Sequence, residues 1–237
     1  MFPKMKIKEI KELDLEGGYL IDGFPSVGFS SAISTESMIH TSKFSIAGVI
    51  TSESFPPMSI IKEGKPNFPT RIFVNEEQKV SIFLSYLTLH ESLHRTAAKL
   101  MLNWAKKQKI KLIVSSVAVR TPSGLEELVA VGNTDSARQK IKEAGFEVLE
   151  NGIIPGIPGI LLNEGSLSNQ DVIVILFHSD GTGPDFRSSA RLCEAMSKLI
   201  PGTACDLQLL QREAEKAETM IKETEEESKH LKDSMYR

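Results

Sequence analysis

The chain is poor in cysteine, in tryptophan and in long apolar runs, and each shortage excludes something. Its two cysteines, Cys193 and Cys205, in 237 residues cannot build the framework of a small secreted scaffold, and they lack zinc-site spacing. They read as reduced thiols of a cytoplasmic protein. No stretch approaches the roughly 20 apolar residues of a membrane span. The opening Met-Phe-Pro-Lys-Met-Lys-Ile-Lys has basic residues but no apolar segment behind them, so no signal peptide is expected. A surplus of one charge is missing too. Lys and Arg number 28 against 31 Asp and Glu, a formal charge of −3, which gives nucleic acid no basic surface to meet. At 41% hydrophobic and 25% charged residues, the composition is that of a folded globular protein and excludes a disordered one.

From residue 19 onward, short β-branched runs alternate with segments of helical period. Strands are expected at 19–22, 44–50, 58–61, 70–74, 80–86, 112–119, 128–131 and 171–177, and helices at 27–40, 91–107, 134–144 and 185–199. The continuously apolar Leu112-Ile113-Val114 and Val172-Ile173-Val174-Ile175-Leu176 suit strands covered on both faces. Alternation of this kind implies an α/β fold, a three-layer αβα sandwich with a mixed, largely parallel central sheet. The strand-rich region 44–86, with no helix inside it, supplies the antiparallel part. Thr134 with Asp135, and Pro184 with Asp185, mark helix starts, while Gly145 and Pro201-Gly202 mark helix ends.

The C-terminal extension differs in composition. Residues 206–233 contain neither Gly nor Pro, and Leu207, Leu210, Ala214, Ala217, Ile221, Thr224, Ser228 and Leu231 keep a 3-4 spacing. That is the seam of a coiled coil or of a helix laid in a groove. A lone chain would expose this stripe, so self-association into a homo-oligomer is expected. Fully helical, these 28 residues would project about 42 Å, with Thr224 and Ser228 weakening the distal half. The domain organisation is thus 1–204 for the sandwich and 205–237 for a long C-terminal helix and its tip.

Three constellations could carry chemistry. His90-Glu91-Ser92-Leu93-His94 fits the H-E-x-x-H pattern, in which two histidines one helical turn apart hold zinc and the glutamate acts as base. However, no Asp, Glu or His lies between His94 and Glu126 to complete the ligand set, and Ala97 stands where the longer version of the motif needs glycine. A helix start with two part-exposed histidines is the simpler reading, with no metal, no cofactor and no catalytic residue assigned. The turn Gly23-Phe24-Pro25-Ser26-Val27-Gly28 joins the first strand to the first helix, where backbone N–H groups can meet an anion. It lacks the Lys and Ser/Thr of a P-loop, so its glycines equally suit a tight turn and close helix–sheet packing. Last, Met235-Tyr236-Arg237 places an apolar side chain, a ring with a hydroxyl and a carboxylate together, a compact anchor for a partner's pocket.

Several segments, taken in order, resemble the proteasome assembly chaperone family, particularly its archaeal homologues. Gly23-Phe24-Pro25-Ser26-Val27-Gly28 is similar to the family's G-x-P-x-x-G turn. Ser52-Glu53-Ser54-Phe55-Pro56-Pro57 resembles its S-E-x-x-P-P strand end. The segment Gly152-Ile153-Ile154-Pro155-Gly156-Ile157-Pro158-Gly159-Ile160-Leu161-Leu162 resembles its G-x-I-x-G-x-x-G-x-L-L loop. Gly183-Pro184-Asp185-Phe186-Arg187-Ser188-Ser189-Ala190 resembles its P-D-x-x-A-A helix start, with Ser189 where alanine is usual. The resemblance implies a fold like that of purine nucleoside phosphorylases. It also implies a hydrophobic–Tyr–x tail, here Met235, Tyr236 and Arg237, that docks between α-subunits of the 20S proteasome ring. A non-catalytic proteasome-binding protein or assembly chaperone is therefore expected. The alternative is a small-ligand-binding protein or an enzyme (hydrolase, ligase or phosphorylase-like) working at the cleft beside Gly23, Phe24, Pro25, Ser26 and Gly28.

Overall fold

The structure is a computed structural model. It describes residues 5–25, 29–119, 129–179 and 185–206, and of the C-terminal segment 208–210, 212, 215–216, 219–224 and 226. In chain order the elements are β1 (Met5–Glu9), β2 (Tyr19–Gly23), α1 (Ser30–Thr41), β3 (Ser45–Ser52), β4 (Ile60–Lys62), β5 (Lys65–Asn67), β6 (Thr70–Asn75), β7 (Val80–Ser85) and α2 (Glu91–Lys107). There follow β8 (Leu112–Val119), β9 (Val129–Gly132), α3 (Asp135–Glu143), β10 (Glu147–Val148), α4 (Gly156–Ser168), β11 (Asp171–His178) and α5 (Phe186–Leu199). The described residues from 208 to 226 are helical as well.

Nine strands form one sheet in the order β1-β3-β6-β7-β2-β8-β11-β9-β10, and β4 with β5 makes a separate hairpin. At its centre β7, β2, β8 and β11 run parallel. The β1-β3-β6-β7 side is antiparallel throughout, as the helix-free stretch of sequence implied. Strands β8 and β11 pair in register from Leu112 with Asp171 to Val119 with His178. Their apolar residues are buried on both faces, which is why they show no alternation.

Helices cover both faces, and the alternation of side chains along each strand sorts the core into two halves. Ile21, Val114 and Ile175 point into the half that holds residues of α1, α3 and α5. Leu20, Ile113 and Val174 point into the half that holds residues of α2 and α4. Across that second half the Trp104 ring of α2 meets Phe83 of β7 edge-on, at 5.1 Å between centroids. This is the expected three-layer αβα sandwich.

The sequence reading lacked four elements, β1, β5, β10 and α4, and two of them bear on packing. α4 takes in residues 156–162, which the family resemblance had as part of a loop. Pro158 sits in the first turn, where its missing N–H has no partner to lose. A Cβ on Gly159 would lie 2.0 Å from the Ile154 carbonyl oxygen, and one on Gly165 2.7 Å from Val172 Cγ2, so these glycines let the helix settle close to its neighbours. The second is β1, an edge strand tied to α2 through Glu9. Its carboxylate accepts from Trp104 Nε1 at 3.0 Å and from Gln108 Nε2 at 3.3 Å, and pairs with Lys107. Burial alone would raise the Glu9 carboxyl; Lys107 and these hydrogen bonds outweigh it and hold the group below its ordinary range.

Candidate functional site

Because β2, β7 and β11 are parallel and lead into α1, α2 and α5, the N-terminal ends of three helices gather at one edge of the sheet. The turn singled out in the sequence begins there. Gly23 packs against α1 so closely that a Cβ would stand 2.7 Å from Thr35 Oγ1, so glycine is required for packing. Phe24 is buried with the α2–α4 half of the core, and Pro25 follows it, partly exposed. Ser26, Val27 and Gly28 lie outside the described residues. The turn is fastened by Asp22, whose Oδ1 accepts from the Phe24 N–H at 3.1 Å and whose Oδ2 accepts from Ser115 Oγ at 2.7 Å. Burial pushes the Asp22 carboxyl up to about 6, against the opposing pull of Ser115, the Phe24 N–H and nearby His94. Asp22 and Ser115 are closed off from solvent. They act as a lock on the turn, since a general acid must reach its substrate.

The two motif histidines are occupied locally. His90 is the N-cap of α2, its Nδ1 accepting from the Ser92 N–H at 3.3 Å. His94 places Nε2 3.1 Å from the Leu89 carbonyl oxygen. Both thus use a ring nitrogen on nearby backbone, which is helix-start chemistry. Among the described residues no three His, Cys, Asp or Glu gather in a way that could hold a metal.

On the opposite face, the structure assembles a group that the sequence did not reveal. Glu36, in the middle of α1, is buried. Its Oε2 accepts from the Tyr86 hydroxyl at 2.8 Å, and its Oε1 lies 3.0 Å from Lys62 Nζ and 3.2 Å from His40 Nε2. Burial would raise this carboxyl, but His40, Lys62 and the Tyr86 hydroxyl together bring it down to about 2. The cluster fastens the β4–β5 hairpin to α1. A carboxylate among serines gives no motif, and its partners lie 26 and 50 residues away in the chain.

The C-terminal helix lies beside that hairpin. Leu210 and Ile221 are fully buried and belong to the same half of the core as Ile60, and Thr224 is only 7% exposed. A groove of about 780 Å³ runs between Met58, Ile60 and Ile61 on one side and Lys216, Met220 and Glu223 on the other. Over the described residues, then, the seam faces the chain's own body, the groove-laid alternative of the two; the projecting coiled coil is not what these residues form. The exposed stripe invoked for self-association is absent at Leu210, Ile221 and Thr224. Thr224 Oγ1 donates to the Met220 carbonyl at 2.6 Å, so its hydroxyl is satisfied where it is buried. Leu207, Ala214, Ala217, Ser228, Leu231 and the tip residues Met235, Tyr236 and Arg237 lie outside the described residues.

Cys193 and Cys205 are joined as a disulfide, with Cα atoms 6.2 Å apart, so they are not the free thiols expected from composition. The chain turns back at Pro201-Gly202 after α5, which brings the segment holding Cys205 alongside Cys193. A Cys-x7-Pro-Gly-x2-Cys pattern across a helix end was the signal available.

A sequence model of the PAC2 family matches residues 20–225. Among solved structures, the chain is similar to Pyrococcus furiosus PbaA, described as an archaeal homolog of proteasome-assembly chaperone. The TM-score is 0.79 at 24% identity, covering 96% of this chain and all of that one. It is also similar to P. furiosus PbaB, described as an archaeal proteasome activator, with TM-score 0.70 at 19% identity over 94% of this chain and 99% of the other. An uncharacterized protein of Methanocaldococcus jannaschii is 25% identical over 232 residues, covering 98% of this chain and 94% of its own. Among the described residues no helix is long and apolar enough to cross a membrane.

Proposed function

The chain belongs to the PAC2 family, and on that premise we propose that it is a non-catalytic protein that engages the 20S proteasome. In this reading it assists assembly or caps the ring by docking its Met235-Tyr236-Arg237 tail into pockets between α-subunits. The observation that carries the reading is the likeness to PbaA and PbaB over 96% and 94% of this chain, and the tripeptide Met235-Tyr236-Arg237 is of the docking type. The sandwich acts as a platform and the helix as the stem of the tip. The locked Asp22–Ser115 pair supports a non-catalytic role, because both groups are sealed inside the fold.

The test is a binding series against archaeal 20S particles and α-rings. Tyr236 is the main anchor in this reading, since its ring and its hydroxyl both find partners in a pocket with an apolar wall and a polar end. Tyr236→Ala should weaken binding by about 2 kcal/mol or more per tail, in the range of interface hot spots. Adding one residue after Arg237 should do the same by displacing the carboxylate, while Arg237→Ala should change little. Unchanged binding in both damaging variants would overturn tail docking and turn attention to the sheet edge at Gly23, Phe24 and Pro25.

A further inference from the structure

We propose that Cys193 and Cys205 form a reversible thiol–disulfide clip that decides whether the C-terminal helix stays seated on the body. Cys205 immediately precedes Asp206, whose Oδ1 accepts from the Gln208 and Leu209 N–H groups at 2.9 and 3.1 Å and so caps the helix. The sulfur bond therefore ties the root of that helix to α5. Among the described residues after 206, only Leu210, Ile221 and Thr224 are buried. A segment whose described residues are mostly exposed belongs to the low-stability end of a fold, where a covalent tie at one end weighs heavily.

Both redox states have a place in the structure. Cys193 Sγ lies 3.7 Å from the Ser34 carbonyl oxygen, and Cys205 Sγ lies 3.7 Å from Ser197 Oγ. Each thiol released on reduction has an acceptor already in position. Access is one-sided, since Cys193 is fully buried while Cys205 is partly exposed.

The reductant is therefore a dithiol that attacks Cys205. Its thiolate bonds to Cys205 Sγ, the disulfide breaks, and the electron pair leaves on Cys193 Sγ, which takes up a proton. The reductant's second thiol then displaces Cys205 and closes the reductant's own disulfide. Two electrons and two protons pass to the protein. Reduction leaves the root held by hydrogen bonds such as Thr203 Oγ1 to the Ile200 carbonyl at 2.9 Å.

This inference stands on the helix root and does not depend on what the tip binds. The test is amide hydrogen exchange on the full chain, oxidised with an oxidised dithiol or reduced with dithiothreitol, with thiol titration alongside. Reduction should speed exchange at residues 208–224 by roughly tenfold or more, leave α2 unchanged and reverse on reoxidation. Cys205→Ser should exchange at the fast rate under both conditions. Ile221→Asp should reach that rate with the disulfide intact, showing that the readout reports seating. Free thiols that persist in the oxidant would overturn the proposal. So would equal exchange at 208–224 in the two redox states.

Discussion

Two carboxylates are buried on opposite faces of one sheet, and burial leaves them with opposite character. Asp22, on the α2–α4 face, meets a hydroxyl and a backbone N–H, and its carboxyl rises to about 6. Glu36, on the α1–α5 face, meets Lys62, His40 and the Tyr86 hydroxyl, and its carboxyl falls to about 2. Desolvation acts on both in the same sense. What separates them is the set of partners at Glu36, the His40 hydrogen bond first, then Lys62 and the Tyr86 hydroxyl, which together outweigh the loss of water. The difference has a structural use. The Asp22 lock fixes a turn within one chain segment and its neighbouring strand, whereas the Glu36 cluster fastens a hairpin to the body.

The strongest way to break this contrast is Glu36→Ala. It takes from Lys62 and the Tyr86 hydroxyl the carboxylate they share, and removing one member of a buried ion pair costs about 3–5 kcal/mol. Chemical denaturation should show that loss, with the β4–β5 hairpin the first part to become accessible to protease.

A pH series sharpens the contrast, because the two groups contribute with opposite sign. Glu36 sits at about 2 against an ordinary 4.5. It therefore adds about 3 kcal/mol of stability that is complete above pH 4.5 and disappears as pH falls from there through 2. Asp22 sits at about 6 against an ordinary 3.8. The fold prefers its neutral form, so no penalty exists below pH 3.8. A cost of about 3 kcal/mol accumulates as pH rises from 3.8 through 6. Asp22→Asn cannot ionise and escapes that cost. Relative to the parent chain it should gain stability steadily from pH 4 to pH 7, by about 3 kcal/mol in total. A parent-minus-variant difference that stays flat over this interval would show that Asp22 has no raised carboxyl.

Glu9 provides the smallest and intermediate case. It is partly exposed and pairs with Lys107 at the surface, so Glu9→Gln should cost under about 1 kcal/mol and loosen only β1 against α2. Exchange of the β1 amides is the sensitive measurement, with the central strands unchanged.

Much of the sandwich was legible in the chain. β8 and β11 appear in the sequence as uninterrupted apolar runs because both of their faces are covered. α2 and α3 appear as amphipathic periods because each has one wet side, and Thr134 and Asp185 cap their helices as their types and positions suggested. The turn at Gly23 was recognised, but its glycine reads two ways in sequence. Only the approach of Thr35 assigned it to packing. α4 was hidden because glycines that permit close contact look the same as glycines that break helices.

The sequence by itself determined the layered α/β class, the parallel centre of the sheet, the ends of most helices and the presence of a C-terminal helix. These follow from periodicity and local backbone preference, which act over a few residues. Tertiary structure alone decided that Leu210 and Ile221 turn inward onto the chain's own core. It also decided that Cys193 meets Cys205 across a reversal, and that Glu36 finds Lys62 and Tyr86. In each case the deciding energy is the removal of a side chain from water beside a partner distant in the chain. No local pattern records which partner that will be.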